Sequence, residues 1–404
     1  MTYPVPHSGS WIVRDGLDLR SLALFRLGLA LLSVLAIALA GRALTLPWSL
    51  SGLLIGGAIS ACGALVVGYY TRIAAISTWM FMTAIANLSA NPGPSTLLSI
   101  TLLWAIFLPL GARYSIDSAL NTAPQPQPQG FLGTAVFALM AQWWSLAWFW
   151  VEGLGVCSPS DVAHFSAIAM RLTSPPSGLV IGMQAWAWLL PFLLLWPRGR
   201  DRGRMVAIAI ALPLWISVGV VLGLVLLPAI ALVMGLALIP ASLWEGLAKR
   251  CYGRPQAGLD IYYDADCGFC KKVVHLIRTL AVLPHTPLHT AQSDPVICAA
   301  MEAQNSWVVV DWQGHHHYKF EAIAYVCRLS PVLRGLEPVL RWSPVMAVGT
   351  RFYEAIANNR RRAGYFTRPL RFRRFDITSP ISINLLALGI IGVGLWWHCD
   401  RPWG

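Results

Sequence analysis

"LDIYYDADCGFCKKVVHLIRTLAVL", residues 259–283, decides how this chain is read. The first five residues are β-rich, and from Lys271 onward apolar side chains recur at helical spacing. Cys267 and Cys270 sit at the junction. A strand that runs into a helix here puts Cys267 at the helix N-terminus. Free backbone N–H groups and the helix dipole favour a thiolate there, and the thiolate is the form that attacks disulfides. Cys270, one turn on, shares that face and can resolve a mixed disulfide. Asp264 and Asp266 oppose thiolate formation by their charge, yet a buried carboxylate can shuttle a proton to the resolving cysteine. Asp264 is the candidate for that role.

The pattern continues downstream. "DPVICAAMEAQ" (294–304) reads as a helix. "SWVVVDWQGHHHYKF" (306–320) reads as a strand, a Gln-Gly turn and a return strand, and "EAIAYVCRLS" (321–330) as a further helix. Strand, Cys-x-x-Cys, helix, helix, hairpin, helix is the order expected of a thioredoxin-like domain. The motif resembles that of the DCC family of thiol-disulfide oxidoreductases (DUF393), of the form D-G-x-C-x-x-C. Asp264, Cys267 and Cys270 match, and Ala265 stands where the family has glycine. "WSPVMAVGTRFYEAIANNRRRAG" (342–364) is similar to the family's closing helix through Tyr353 and Ala357–Arg360. The resemblance implies dithiol–disulfide exchange with Cys267 as nucleophile and Cys270 as resolver. No proline precedes the 306–310 strand to face the dithiol as in thioredoxins. Two alternatives remain open: a silent domain, or half a zinc site completed by His275 or His289. Four well-spaced metal ligands are not apparent, so no metal is assigned. The His315–His317 triplet is expected to be an exposed hairpin tip.

The chain around this domain is different. It has 404 residues, 56% hydrophobic and 12% charged, where a soluble protein carries about 25% charged. Runs long enough to cross a bilayer as helix are expected at 21–41, 50–70, 73–90, 95–111, 131–151, 178–197, 205–222 and 225–244, with another at 381–398. The 205–244 run is divided near Gly223, with Pro213 and Pro228 as kinks or turn residues. "AIALAGRA" has the small-x-small pattern of a signal cleavage site, but the Ser21–Ala40 run is too long for a signal h-region. The net charge of +12 does not point to nucleic acid, because much of it clusters beside apolar runs. Arg72, Arg113, the arginines at 198–204, Lys249, Arg250 and Arg254 fall on one side of the expected topology. Arg42 and Arg171 fall on the other. The positive-inside rule then places the N-terminus and the thiol domain in the cytoplasm of a bacterial inner membrane, with the C-terminus outside. "APQPQPQG" (123–130) is expected to be an extended cytoplasmic linker. The eight cysteines are scattered and form no disulfide framework, and Cys62 reads as a small packing residue.

"RDGLDLRSLALFRLGLALL" (14–32), with Arg26 inside its apolar run, and "AQWWSLAWFWVEG" (141–153) resemble the HTTM family, which is related to vitamin K-dependent γ-carboxylases. The carboxylases use a lysine base, and the first lysine here is Lys249, so carboxylation is not expected. The resemblance implies a quinone-type ligand in the bundle, with Arg26, Gln142 and His164 as candidate ligand-binding residues. Each has a simpler reading. Arg26 can snorkel to headgroups or hydrogen-bond within the protein, Gln142 can bond between helices, and His164 can be a loop histidine. Trp148 and Trp150 fit an interfacial aromatic belt.

The expected architecture is a polytopic α-helical membrane bundle of about eight spans (1–245), a soluble α/β thioredoxin-like domain (257–375) and a C-terminal span (381–398). The expected function is membrane-anchored thiol-disulfide exchange. Its partners are the bilayer and a thiol or disulfide, protein or small molecule, and not nucleic acid. The rival reading is a non-enzymatic maturation, export or immunity factor for a peptide, with the thiol domain as a binding module.

Overall fold

The computed structural model describes residues 17–40, 44, 47–89, 93–123, 129–130, 133–156, 186, 188–192, 201–221 and 226–374. The chain divides into two units. One comprises 1–112, 126–242 and 378–404, the other 113–125 and 243–377.

The first unit is helical. Helices Leu19–Ala40, Trp48–Val67, Thr71–Asn87 and Gly93–Ala105 pack each against the next. Gly133–Val156 packs on Gly93–Ala105, Asp201–Val221 on Leu226–Leu236, and Leu226–Leu236 returns to Leu19–Ala40. The return is close: a Cβ at Gly28 would lie 2.8 Å from the Val233 methyls. Small residues let apolar helices approach this way where burial from water cannot drive association. Gln142 is fully buried and its amide donates to the Thr101 carbonyl of the neighbouring helix at 2.8 Å.

The expected eight spans are not supported. Among the described residues, Leu19–Ala40 and Trp48–Val67 are long and apolar enough to cross a membrane. A third is reached if the bent pair Leu226–Leu236 and Ala241–Cys251 is one span. Thr71–Asn87 has 17 residues and Gly93–Ala105 has 13, short of the roughly 20 a bilayer needs. Within the 205–244 run the described helices are Asp201–Val221, with Pro213 inside it, and Leu226–Leu236, while the expected division near Gly223 lies outside the described residues. Pro240, without an N–H, precedes a separate helix at Ala241. The runs expected at 178–197 and 381–398 lie outside the described residues, apart from 186 and 188–192.

The second unit is built on a four-stranded mixed sheet. We label its main elements β1 (Asp260–Tyr263), α1 (Gly268–Leu280), β2 (Leu288–Thr290), α2 (Pro295–Gln304), β3 (Val308–Val310), β4 (His316–Tyr318), α3 (Lys319–Leu329) and α4 (Ser343–Asn358). The strand order is β2-β1-β3-β4. β1 runs parallel to β2 and antiparallel to β3, and β3 runs antiparallel to β4. Strand alternation sorts the side chains onto two faces. Ile261, Tyr263 and Val309 join Val274 of α1 and Ala322, Tyr325 and Val326 of α3 in one core. Tyr262, Val308 and Val310 face the other way, onto Ile297 and Met301 of α2.

Residues 113–123 belong to this unit. Ile116–Ala119, capped by Ser115, packs on α1. Thr122 N–H donates to the Arg373 carbonyl at 2.9 Å, and Arg373 N–H to the Leu120 carbonyl at 3.0 Å. The segment leading into the proline-rich stretch is therefore docked. Residues 124–128 lie outside the described residues, while Gln129–Gly130 pairs with Leu17–Asp18.

The hairpin differs from expectation. No two-residue Gln-Gly turn forms. Residues 311–315 make the connection, organised by the buried Asp311 carboxylate, which accepts the N–H groups of Gln313 at 2.9 Å and His315 at 2.8 Å. Gly314 supplies the left-handed step at φ +85°. Burial opposes the Asp311 charge, but those donors and the His317 and His315 rings outweigh it and hold the carboxyl below its ordinary range. His315 is exposed, but His317 is not at an exposed tip. Its side chain is 15% exposed, it stacks on Tyr325 at 4.0 Å, and it faces Asp311 and Glu321 at 3.4 Å each.

Candidate functional site

β1 ends at Tyr263, and the chain turns through Asp264–Asp266 into α1. Cys267 is the N-cap of α1: its backbone is extended, and its Sγ accepts the N–H of Cys270 at 3.2 Å. Cys267 and Cys270 are joined as a disulfide with Cα atoms 5.2 Å apart, inside the range such a bond requires. Both cysteines are half-buried, and a Cβ placed on the intervening Gly268 would meet nothing within 4 Å. That side of the dithiol is open to a partner.

The turn is braced by residues that local sequence did not reveal. Asp264 Oδ1 accepts from Asp266 N–H at 3.1 Å and from the Gln292 amide at 3.0 Å, while Oδ2 faces Arg360 at 3.5 Å. The Gln292 carbonyl oxygen in turn accepts Ala265 N–H at 3.1 Å. Ala265, where the family motif has glycine, is thus held by Gln292 just after β2. β2 itself was missing from the expected order, which is why Gln292 had no place in it. The Asp264 side chain is 22% exposed, so it is not the fully buried carboxylate expected. It does line one pocket with Cys270.

That pocket lies between α1 and α4 and holds about 540 Å³ of empty space, counting its open mouth. Phe269, Val273 and Ile277 of α1 and Ile356 and Ala357 of α4 form its sides, and Trp307, Met301 and Ile323 also line it. Polar groups are few. Asp264 and Arg360 face each other. The Tyr353 hydroxyl lies 3.2 Å from Ser306 Oγ and accepts Trp307 N–H at 3.3 Å. Burial pushes the Tyr353 phenol above its ordinary range. Ser306 stands just ahead of β3, where thioredoxins carry a proline. It is fully buried, and its hydroxyl accepts Lys319 N–H at 2.6 Å and donates to the Trp307 carbonyl at 2.8 Å.

His275, a candidate zinc ligand, sits half-buried on α1 beside Phe372 (5.3 Å between rings) and Tyr263 (6.5 Å). Burial first, then the charges of Arg278 and Lys271, lowers its pKa to about 4, so it is neutral near pH 7. Among the described residues, no group of three or more His, Cys, Asp or Glu side chains is placed to hold a metal ion.

The other candidates are not part of this unit. Arg26 is buried rather than snorkelling. It donates to the backbone carbonyls of Leu110 at 2.9 Å and Val66 at 3.4 Å. Gln142 makes the interhelical bond already described. His164 lies outside the described residues.

Residues 261–365 match the family model for DCC1-like thiol-disulfide oxidoreductases. The match takes in β1 from Ile261, the dithiol, both pocket-forming helices and the closing Arg360. No curated protein and no solved structure matches the chain.

Proposed function

We propose that this protein is a membrane-anchored thiol-disulfide oxidoreductase whose thioredoxin-like domain exchanges electrons through Cys267 and Cys270. The observation that carries the reading is the placement of Cys267 as N-cap of α1, already bonded to Cys270, within a stretch that matches a thiol-disulfide oxidoreductase family. In the reduced form, the N–H of Cys270 and the first-turn donors of α1 stabilise a Cys267 thiolate. The thiolate attacks a substrate disulfide, and one substrate thiol leaves. Cys270 then attacks the Cys267 sulfur of the mixed disulfide and releases the second thiol. Two electrons pass from the dithiol to the substrate. The Cys270 proton goes to solvent or to Asp264, which lines the same pocket.

Trapping tests this. With Cys270→Ala, membranes should accumulate mixed disulfides through Cys267, and Cys267→Ala should abolish them. Absence of adducts, together with a Cys267 that resists alkylation at neutral pH, would leave the non-enzymatic binding module as the reading.

The helical unit is the proposed anchor, of the HTTM type, in a bacterial inner membrane, with the dithiol on the cytoplasmic side. Loop charge supports that side. Residues 113–123 belong to the dithiol unit and so share its side of the membrane. An impermeant thiol reagent should therefore label Thr122→Cys and reduced Cys267 from the same face. A quinone partner gains no support. The contacts seen for its two described candidate residues are within the protein: Arg26 donates to the Leu110 and Val66 carbonyls and Gln142 to the Thr101 carbonyl.

A further inference from the structure

In the dithiol unit, α4 is followed by a short helix, α5 (Arg360–Phe366), and a stretch that runs on to Arg374. Residues 360–374 hold seven arginines and no Asp or Glu. The exposed residues of α5 are Arg361, Arg362, Tyr365 and Phe366, and the spacing of four between them puts all of them on one face. Tyr365 is 70% exposed and Phe366 82%, the highest value for a large apolar side chain among the described residues of this unit. Arg368, Arg371 and Arg374, beyond the helix, are exposed as well. Among the described residues none of these five arginines is ion-paired, whereas Arg360 turns inward to Asp264. Other groups fix the segment in place. Lys272 of α1 donates to the Thr367 carbonyl at 2.9 Å, the Phe372 ring lies 5.3 Å from that of His275, and Arg373 is backbone-bonded to Leu120 and Thr122. The arginines and aromatic rings are therefore presented outward on a held frame.

A lone exposed apolar side chain needs no partner. Val296 is such a case. It is 70% exposed, but α2 packs on the other face of the sheet, and residues 294–304 carry Asp294 and Glu302 with no Lys or Arg. The face of α5 differs because it joins exposed aromatic surface to positive charge that no carboxylate neutralises. That combination is complementary to a bilayer surface with anionic headgroups, where phosphates accept guanidinium donors and aromatic rings sit at headgroup level. Chain length points to the same partner. The apolar run 381–398 begins seven residues after Arg374, a reach of at most about 25 Å. We propose that the outward face of α5 and the arginines that follow it dock on anionic lipid headgroups, with Phe366 inserted at the interface. Lys272 ties this segment to the dithiol helix, so docking carries α1 to the bilayer surface with it. The inference rests on the membrane-anchor reading and adds to it a class of lipid and the residues that meet it.

The test uses the full-length protein in nanodiscs, with the photoreactive p-benzoylphenylalanine in place of Phe366, of Tyr365 or, as a control, of Val296. The discs are made of phosphatidylcholine alone or of an equal mixture with phosphatidylglycerol. After irradiation, mass spectrometry identifies what each probe has bonded to. Position 366 should bond to lipid at least about fivefold more often in the mixed discs, since a single arginine near an anionic surface shifts the balance by about that factor. Raising the salt from about 0.1 M to about 1 M shortens the screening length from about 10 Å to about 3 Å and should remove the difference. Arg361→Gln combined with Arg362→Gln should return the yield to that in phosphatidylcholine. Position 296 should give no lipid adduct in either disc. Equal lipid yields in the two discs, or none at either 365 or 366, would overturn the docking surface. So would adducts to a second copy of the chain or to an added single-stranded oligonucleotide in place of lipid. A protein that alkaline carbonate strips from its native membranes would instead overturn the anchor reading beneath it.

Discussion

His275 makes the dithiol unit acid-labile by an amount that can be worked out. Its folded pKa is about 4, against an ordinary value near 6.5. Below pH 6.5 the unfolded chain takes up a proton that the folded ring refuses. Stability is therefore complete above 6.5 and falls as pH drops towards 4. At pH 5 the linkage relation gives a loss of about 2 kcal/mol, and partial solvent exposure reduces this to about 1 kcal/mol. His275→Phe removes the titration and keeps an aromatic ring beside Phe372 and Tyr263. Cys327 reports the opening of this unit, because it is buried in α3 and burial pushes its thiol up. Its alkylation along a urea series, followed by peptide mass spectrometry and normalised to fully unfolded protein at each pH, yields the opening free energy. Between pH 7.5 and pH 5 the wild type should lose about 1 kcal/mol more than the variant. Parallel losses in the two proteins would refute the assignment of the shift to His275.

Three further outcomes follow from single contacts. Val282 holds φ +56°, a region unfavourable to a β-branched side chain, so Val282→Gly should raise the same opening free energy by about 1 kcal/mol. Asp311→Ala takes the acceptor from two backbone N–H groups and both imidazoles, and should cost about 2 kcal/mol, with hydrogen exchange at His315 accelerating alongside. Arg26→Leu removes the donor to Leu110 and Val66 within the helical unit. It should cost about 2 kcal/mol, seen as a lower Tm in detergent without a change in Cys267 alkylation.

The parts of the dithiol unit legible in the sequence are those whose signal is local. Cys267 and Cys270 follow a β-rich run and open a helical pattern, so β1 and α1 could be read directly, as could α2 and α3 from their periodicity. β2 could not. It has three residues, begins just after Pro287, and its register against Ile261–Tyr263 is supplied by the sheet rather than by its own alternation. Missing it hid Gln292, which follows two residues later and braces the turn at Ala265. Tyr353 and Arg360 are marked by the resemblance of the closing helix, but no spacing rule links them to residue 270, whose pocket they line. Asp311 was unreadable for a related reason. A carboxylate that gathers two backbone donors looks the same in sequence as one that faces water. In the helical unit, composition revealed apolar helices but not their lengths. Pro240 and the short Gly93–Ala105 helix show how far an apolar run can exceed the helix it contains.

The segment 113–123 gives the topology a constraint that charge counting lacks. It precedes helix Gly133–Val156 in the chain, yet shares a unit with the dithiol through the Thr122–Arg373 and Arg373–Leu120 backbone bonds. Whatever lies between residue 123 and β1 must therefore leave the membrane on the side from which it entered. Any crossings in that interval are even in number. The Thr122–Arg373 and Arg373–Leu120 bonds impose this parity whichever face is cytoplasmic and independently of the arginine asymmetry.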